Sequence, residues 1–302
     1  MKKIILILSF LTITVSVFAQ NDIQLSQQIN NRIVFNPAAT GQSGCYNFTL
    51  LDREQWTGIK DAPSTQLFNF NKYFKTAKIG IGLTMIYDRL GVERSLNAKA
   101  TIAYHAWLTD QMVLSFGIGA GIINKTLNGN ELTYESSLTD PHALVSQKSK
   151  LSPDFDFGIE YNWKGLNIGA SATHLITGLK KATTFKVPRH FYAYAKYAIK
   201  VSPSVEITPA LSWSNVAKVH MIEINATTLI KDRVMAGLSY RVNDAVVLMA
   251  GIKLIDQVRL SYSYDIKMGS MKYGNTKGSH EVMLLCRFGC SNDNSLHPRF
   301  FN

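Results

Sequence analysis

What the chain has little of narrows it first. Its 3 cysteines, Cys45, Cys286 and Cys290, supply no second ligand pair at metal spacing, which excludes a zinc framework. Beyond the first twenty residues no apolar run approaches the roughly twenty residues that a spanning helix needs, and the mean hydropathy is close to zero. The formal charge is +11, yet Lys and Arg are scattered without the dense stripe that nucleic-acid binding requires. An acidic envelope glycolipid or an acidic protein suits such a surface better. The seven histidines have no partners at helical or hairpin metal spacing, and no metal or cofactor is implied.

What is present begins with a leader. Lys2 and Lys3 precede an apolar stretch from Ile4 to Phe18, and Val17-Phe18-Ala19 stands before Gln20. This reads as a secretory signal over residues 1–19, cleaved after Ala19.

From Tyr46 to Phe288 apolar and polar or tiny residues alternate in about fourteen blocks divided by turn residues. Between Asp154 and Trp163, one face carries Phe155, Phe157, Ile159, Tyr161 and Trp163, and the other Asp154, Asp156, Gly158, Glu160 and Asn162. Strands of about ten residues with one apolar and one wet face, behind a leader, predict an all-β chain. The expected form is a transmembrane antiparallel up-and-down β-barrel of about 14 strands. The dilution of the lipid-facing residues by the lumen-facing ones explains the neutral hydropathy. The expected divisions are residues 20–44 ahead of the barrel, 45–288 in it and 289–302 as a tail. Residues 20–44 do not alternate. Ile23, Ser26, Gln27, Ile29 and Asn30 suit a short helix stopped at Asn36-Pro37, and the segment is either a lumen plug or a loose arm.

Expected strands include Ala77 to Asp88 and one continuous strand from His190 to Val201. The joins Lys75-Thr76, Lys164-Gly165 and Asp256-Gln257 are tight, whereas Trp56 to Pro63, Thr126 to Ser152 and Thr177 to Arg189 are long. Short periplasmic turns opposite long outer loops are the asymmetry of an outer-membrane barrel. Closure brings Cys45 beside Cys290, so these two either bond across the seam or remain thiols.

The lumen face is expected to mix Lys78, Lys99, Lys196, Lys200, Arg259 and Lys267 with Asp154, Asp156, Glu160, Glu206, Glu223 and Asp265, charges that pair and fill the bore. A calcium site at Asp154, Asp156 and Glu160 lacks the Gly-containing loop that wraps such an ion. Ser171 or Ser212 with His174 lacks a visible acid to orient the base, so no catalytic residues are assigned and no enzyme is expected. Gly80, Gly82, Gly117, Gly119 and Gly121 alternate inside strands, where they make room for a filled lumen or for curvature.

Several short motifs occur together in order: Gln27-Gln28, Asn36-Pro37-Ala38 with Gly41, Arg53 with Gln55-Trp56, Gly58 with Ala62-Pro63, Gly80 with Gly82, Asp88 with Gly91, Leu114-Ser115 with Gly117, and Pro153-Asp154-Phe155 with Gly158. In these the chain resembles the PorP/SprF family of outer-membrane proteins of the type IX secretion system. The resemblance implies an integral outer-membrane barrel that works with the translocon and the periplasmic motor and ring proteins. It further implies delivery or retention of partners that carry a C-terminal secretion signal, gliding adhesins among them. Asp61 departs from the family, which often has Gly before Ala-Pro. A passive pore or hydrophobic-solute transporter with an N-terminal hatch is the rival expectation.

Overall fold

The computed structural model describes residues 23–129, 147–176, 187–216, 219–268 and 276–290. The strands are β1 Tyr46–Glu54, β2 Ser64–Phe74, β3 Ile79–Leu90, β4 Glu93–Thr109, β5 Met112–Asn128, β6 Gln147–Trp163, β7 Leu166–Thr173 and β8 His190–Tyr197. They continue as β9 Ile199–Ser202, β10 Val205–Val216, β11 Val219–Ile230, β12 Val234–Arg241, β13 Ala245–Ile255, β14 Val258–Lys267 and β15 Ser279–Phe288. Each pairs antiparallel with its sequence neighbours, and β8 and β9 both pair with β10 as successive parts of one strand. The result is a closed barrel of 14 strands.

Closure is made by β1 against β15, in register from Tyr46 opposite Phe288 to Glu54 opposite His280. Because side chains alternate, this register puts Asn47, Thr49, Leu51 and Arg53 inside, buried, and sends Tyr46, Leu50 and Phe288 outward. The outer wall is a belt of exposed Ile, Leu, Val, Phe and Met. Tyr46, Trp163 and Phe288 stand at one margin, and Tyr87 and Trp213 towards the other, as interfacial aromatics do.

Three local expectations are corrected. The strand from His190 to Val201 is interrupted at Ala198: both parts keep one register with β10, from Ala210 opposite Lys196 to Ile207 opposite Ile199, and the residue that this register sets against Tyr197 is Pro209, which has no N–H to give the ladder. The helix expected ahead of Asn36-Pro37 is two separate 3-10 turns, Gln28–Asn30 and Arg32–Val34, and a third, Pro37–Ala39, starts at the proline itself. The break between the first two turns is at Asn31, whose φ of −127° and ψ of 59° are not helical, and the bonds inside the turns run to i−3 carbonyls, as from Asn30 N to Gln27 O and from Phe35 N to Arg32 O. Ahead of them the Ser26 and Gln27 N–H groups, which no turn carbonyl takes, donate to the Glu281 carboxylate at 2.7 and 2.9 Å. Lys78 also lies off the lumen wall, exposed in the β2–β3 turn at φ 55°.

Candidate functional site

The lumen is occupied by the chain's own N-terminal segment, Ile23 to Gly44, and three sets of wall residues hold it.

The first set spans the seam. Arg53 of β1 and Glu281 and Asp265 of β15 and β14 are fully buried. The Arg53 guanidinium reaches Asp265 Oδ2 at 2.8 Å and Glu281 Oε2 at 3.4 Å, and also touches Ser26 Oγ. Ser26 in turn donates to Asp265, and Ser261 Oγ donates to Gln27 Oε1 at 2.8 Å. Arg241 extends the network, with Glu223 at 3.2 Å, Asp265 at 3.3 Å, Asp244 at 3.3 Å and the Leu25 carbonyl at 3.4 Å. Asp244 lies in the β12–β13 turn and accepts from Lys267 Nζ at 2.5 Å and from Gln24 Nε2 at 3.2 Å. Burial pushes its carboxyl upward, but the Lys267 ammonium and then the Arg241 guanidinium outweigh that and hold it below the ordinary aspartate value.

The second set converges on Glu160, fully buried on β6. Its carboxylate accepts from Asn167 Nδ2 at 2.6 Å, Gln42 Nε2 at 2.7 Å, Arg32 Nε at 3.4 Å and the Tyr194 hydroxyl. Asn36 Nδ2 donates to Tyr194 Oη at 2.9 Å and to the Ile159 carbonyl at 3.2 Å, while Asn36 Oδ1 accepts from Ala38 N at 2.9 Å. One asparagine thus caps the Pro37–Ala39 turn and fastens it to the wall. Phe35 packs on Tyr192 and Tyr194 at ring separations of 5.0 and 5.5 Å.

The third set is made of missing side chains. A Cβ on Gly158 would run into the Asn36 amide, one on Gly117 into the Pro37–Ala38 peptide, and one on Gly80 into the Thr40 carbonyl. These lumen-facing glycines form the seat of Asn36–Thr40. Gly41, at φ 82°, turns the chain away from that seat towards β1. His105 fixes the same carbonyl: its Nε2 lies 2.9 Å from Thr40 O, so this nitrogen carries the proton and Nδ1 accepts from Ser115 Oγ at 2.7 Å.

Of the motif residues read from the sequence, Gln27, Asn36, Pro37, Gly41 and Arg53 meet in this interior. Gln28 lines small spaces beside Phe35 and Tyr192. Gln55 and Trp56 stand past the end of β1, where Gln55 N donates to Pro63 O at 2.9 Å and Trp56 N to Ser279 Oγ at 3.1 Å. Asp88 accepts from Thr65 Oγ1 at 2.5 Å, and Gly91, at φ 57°, donates its N–H to Asp61 O at 3.1 Å, which ties the first outer loop to the second. Asp61 itself sits at φ 57°, the left-handed conformation that favours the glycine common there in the family. Cys45 and Cys290 are joined in a disulfide between the end of the N-terminal segment and the end of β15.

Sequence reading missed Arg32, Gln42, Tyr194, Arg241 and Glu281. The three wall residues Tyr194, Arg241 and Glu281 were visible in principle, since strand parity alone puts them on the lumen face. It also missed the acid beside His174: Asp154 Oδ1 lies 3.0 Å from His174 Nδ1. Asp154, Asp156 and His174 gather as possible cation ligands, but Lys99 already sits among them, paired with Asp156 and 3.5 Å from Asp154. An internal ammonium does there what a metal would do. Ser171 donates to the Phe35 carbonyl at 2.7 Å and so serves the plug.

Comparison with known proteins follows the same lines. No curated protein sequence matches. Among solved structures, the toluene transporter TbuX of Ralstonia pickettii is similar at 8% identity and a TM-score of 0.51, over 85% of this chain and 93% of that one. The outer membrane protein Omp33 of Acinetobacter baumannii is similar at 8% identity and a TM-score of 0.48, over 82% of this chain and 100% of that one. At such identity the likeness to TbuX speaks for the barrel fold alone. A family model described as type IX secretion system membrane protein PorP/SprF matches residues 17–285, and the chain belongs to that family.

Proposed function

We propose that this barrel is a non-enzymatic accessory of type IX secretion that acts by docking and retention, holding a secreted or surface partner at its outer loops and meeting the machinery on its periplasmic side. The leader, residues 1–19, would direct export and be removed. Membership of the family supports the assignment to the secretion system. One observation supports docking over transport: the bore is filled by the chain's own residues 23–44, fastened by buried carboxylate networks, so the molecule offers surfaces and no described path. The cavities beside the plug are small, about 60 Å³ against β1, β2 and β15 and about 20 Å³ beside Phe35.

The partners implied are the translocon, the periplasmic motor and ring proteins, and cargo with a C-terminal secretion signal. Deleting the gene and comparing surface and secreted proteomes tests this. Loss of a defined set of surface proteins is the expected result, and unchanged proteomes would contradict it.

A further inference from the structure

The plug meets the wall differently on its two flanks. Towards β3, β5, β6 and β8 the contact is close: Asn36–Thr40 lies on glycine backbone and Phe35 packs on two tyrosines. Towards the seam, a cavity of about 60 Å³ separates plug residues Asn30–Ile33, Gln42 and Ser43 from Asn47, Asn69 and Met283 of the wall.

Six side-chain amides line this cavity, and in four of them one hydrogen-bonding atom has no protein partner among the described residues: the donors Asn30 Nδ2 and Asn31 Nδ2 and the acceptors Asn47 Oδ1 and Asn69 Oδ1. Asn31, Asn47 and Asn69 are 6, 4 and 1% exposed. Rotating amides does not remove the imbalance. Asn69 Nδ2 already donates to Asn31 Oδ1 at 2.7 Å, and exchanging both amides leaves one donor and one acceptor over as before. Asn47 cannot turn either, because its Nδ2 is committed to Ser43, the Cys45 carbonyl at 3.2 Å and Asn71 Oδ1 at 3.0 Å.

A buried amide group left unpaired is costly, because it gives up its hydrogen bonds to water and gains none in return. Donors and acceptors are equal in number here, which suits neither a bare cation nor an anion. The Arg32 guanidinium beside them is engaged by Gln42 and Glu160. We infer that this cavity is a binding site for a cluster of water molecules, up to about four by volume, that bridges Asn30 and Asn31 of the plug to Asn47 and Asn69 of the wall. The plug is therefore seated dry on one flank and wet along the seam.

Met283 reports on the site. Met283 and Met235 are 2% and 1% exposed and each packs in an apolar cluster, Met283 with Leu25, Leu51, Leu67 and Ile86 and Met235 with Val247 and Met249, but only Met283 of the two lines the cavity. Pulsed X-ray radiolysis of the folded full chain, read by mass spectrometry, makes hydroxyl radicals from water in place, so bound water oxidises the nearest sulfur. The site predicts that Met283 is oxidised roughly fivefold or more faster than Met235. Asn69→Leu, which fills the cavity with an apolar side chain, should bring Met283 down to the rate of Met235; Asn47→Leu serves if the first variant does not fold. Equal slow oxidation of the two methionines in the wild-type chain would overturn the inference, as would an undiminished Met283 rate in a folded filling variant.

Discussion

Arg53 and Glu281 are direct cross-strand partners on the first and last strands, and their side chains meet at 3.4 Å with Ser26 of the plug between them and Asp265. The same guanidinium therefore supports barrel closure and plug seating. Removing it leaves the buried Glu281 carboxylate without its cation, while Asp265 keeps Arg241, so Arg53→Met should cost about 3–5 kcal/mol. The check is the unfolding midpoint in detergent with the folded-band fraction on unheated gels. Adding Glu281→Gln should recover much of the loss, because the stranded charge causes most of it.

The glycine seat makes a steric prediction. Gly158→Ala pushes a methyl group into the Asn36 amide, and overpacking of this kind costs about 1–3 kcal/mol. The expected outcome is a barrel that still forms while residues 23–44 become open to limited proteolysis. Proteolytic resistance equal to wild type would mean that the seat is not formed.

Acid should loosen the plug at Asp244. Its folded value lies below the unfolded one, so its stabilising contribution is complete above the unfolded value, near 3.8, and is lost as pH falls through the lower folded value. Stability measured from pH 7 downward should hold to about pH 4 and then decline, and Asp244→Asn should flatten that decline.

The bridge between Cys45 and Cys290 closes a loop of sequence separation 245. In the chain-entropy model such a loop contributes on the order of 5 kcal/mol. Reduction, or Cys45→Ser, should shift gel mobility without reductant and lower the unfolding midpoint. The hydrogen-bonded β1–β15 seam should remain.

Much of this fold was legible because its rule is local. An alternation of period two, repeated between tight turns, marks the strands, and parity sorts Phe155 and Phe157 to lipid and Asp154 and Asp156 to the bore. The plug was legible only as a segment that fails to alternate. Its contacts join residues more than a hundred positions apart, such as Arg32 with Glu160 and Ser26 with Glu281, and no local pattern encodes those pairs. The glycines showed that the bore needed room but not that Asn36-Pro37-Ala38 would occupy it. His174 lay beyond reach for a different reason: strand parity carried past Thr173 sends it outward with Ala172, but it leaves the end of β7 at φ 59° and is buried against Asp154.

The most direct test of a filled bore is electrical. Purified full-length protein inserted in planar bilayers should show no steady open conductance, and a variant lacking residues 23–44 should show one. A stable ohmic pore from the intact chain at each insertion would contradict the account.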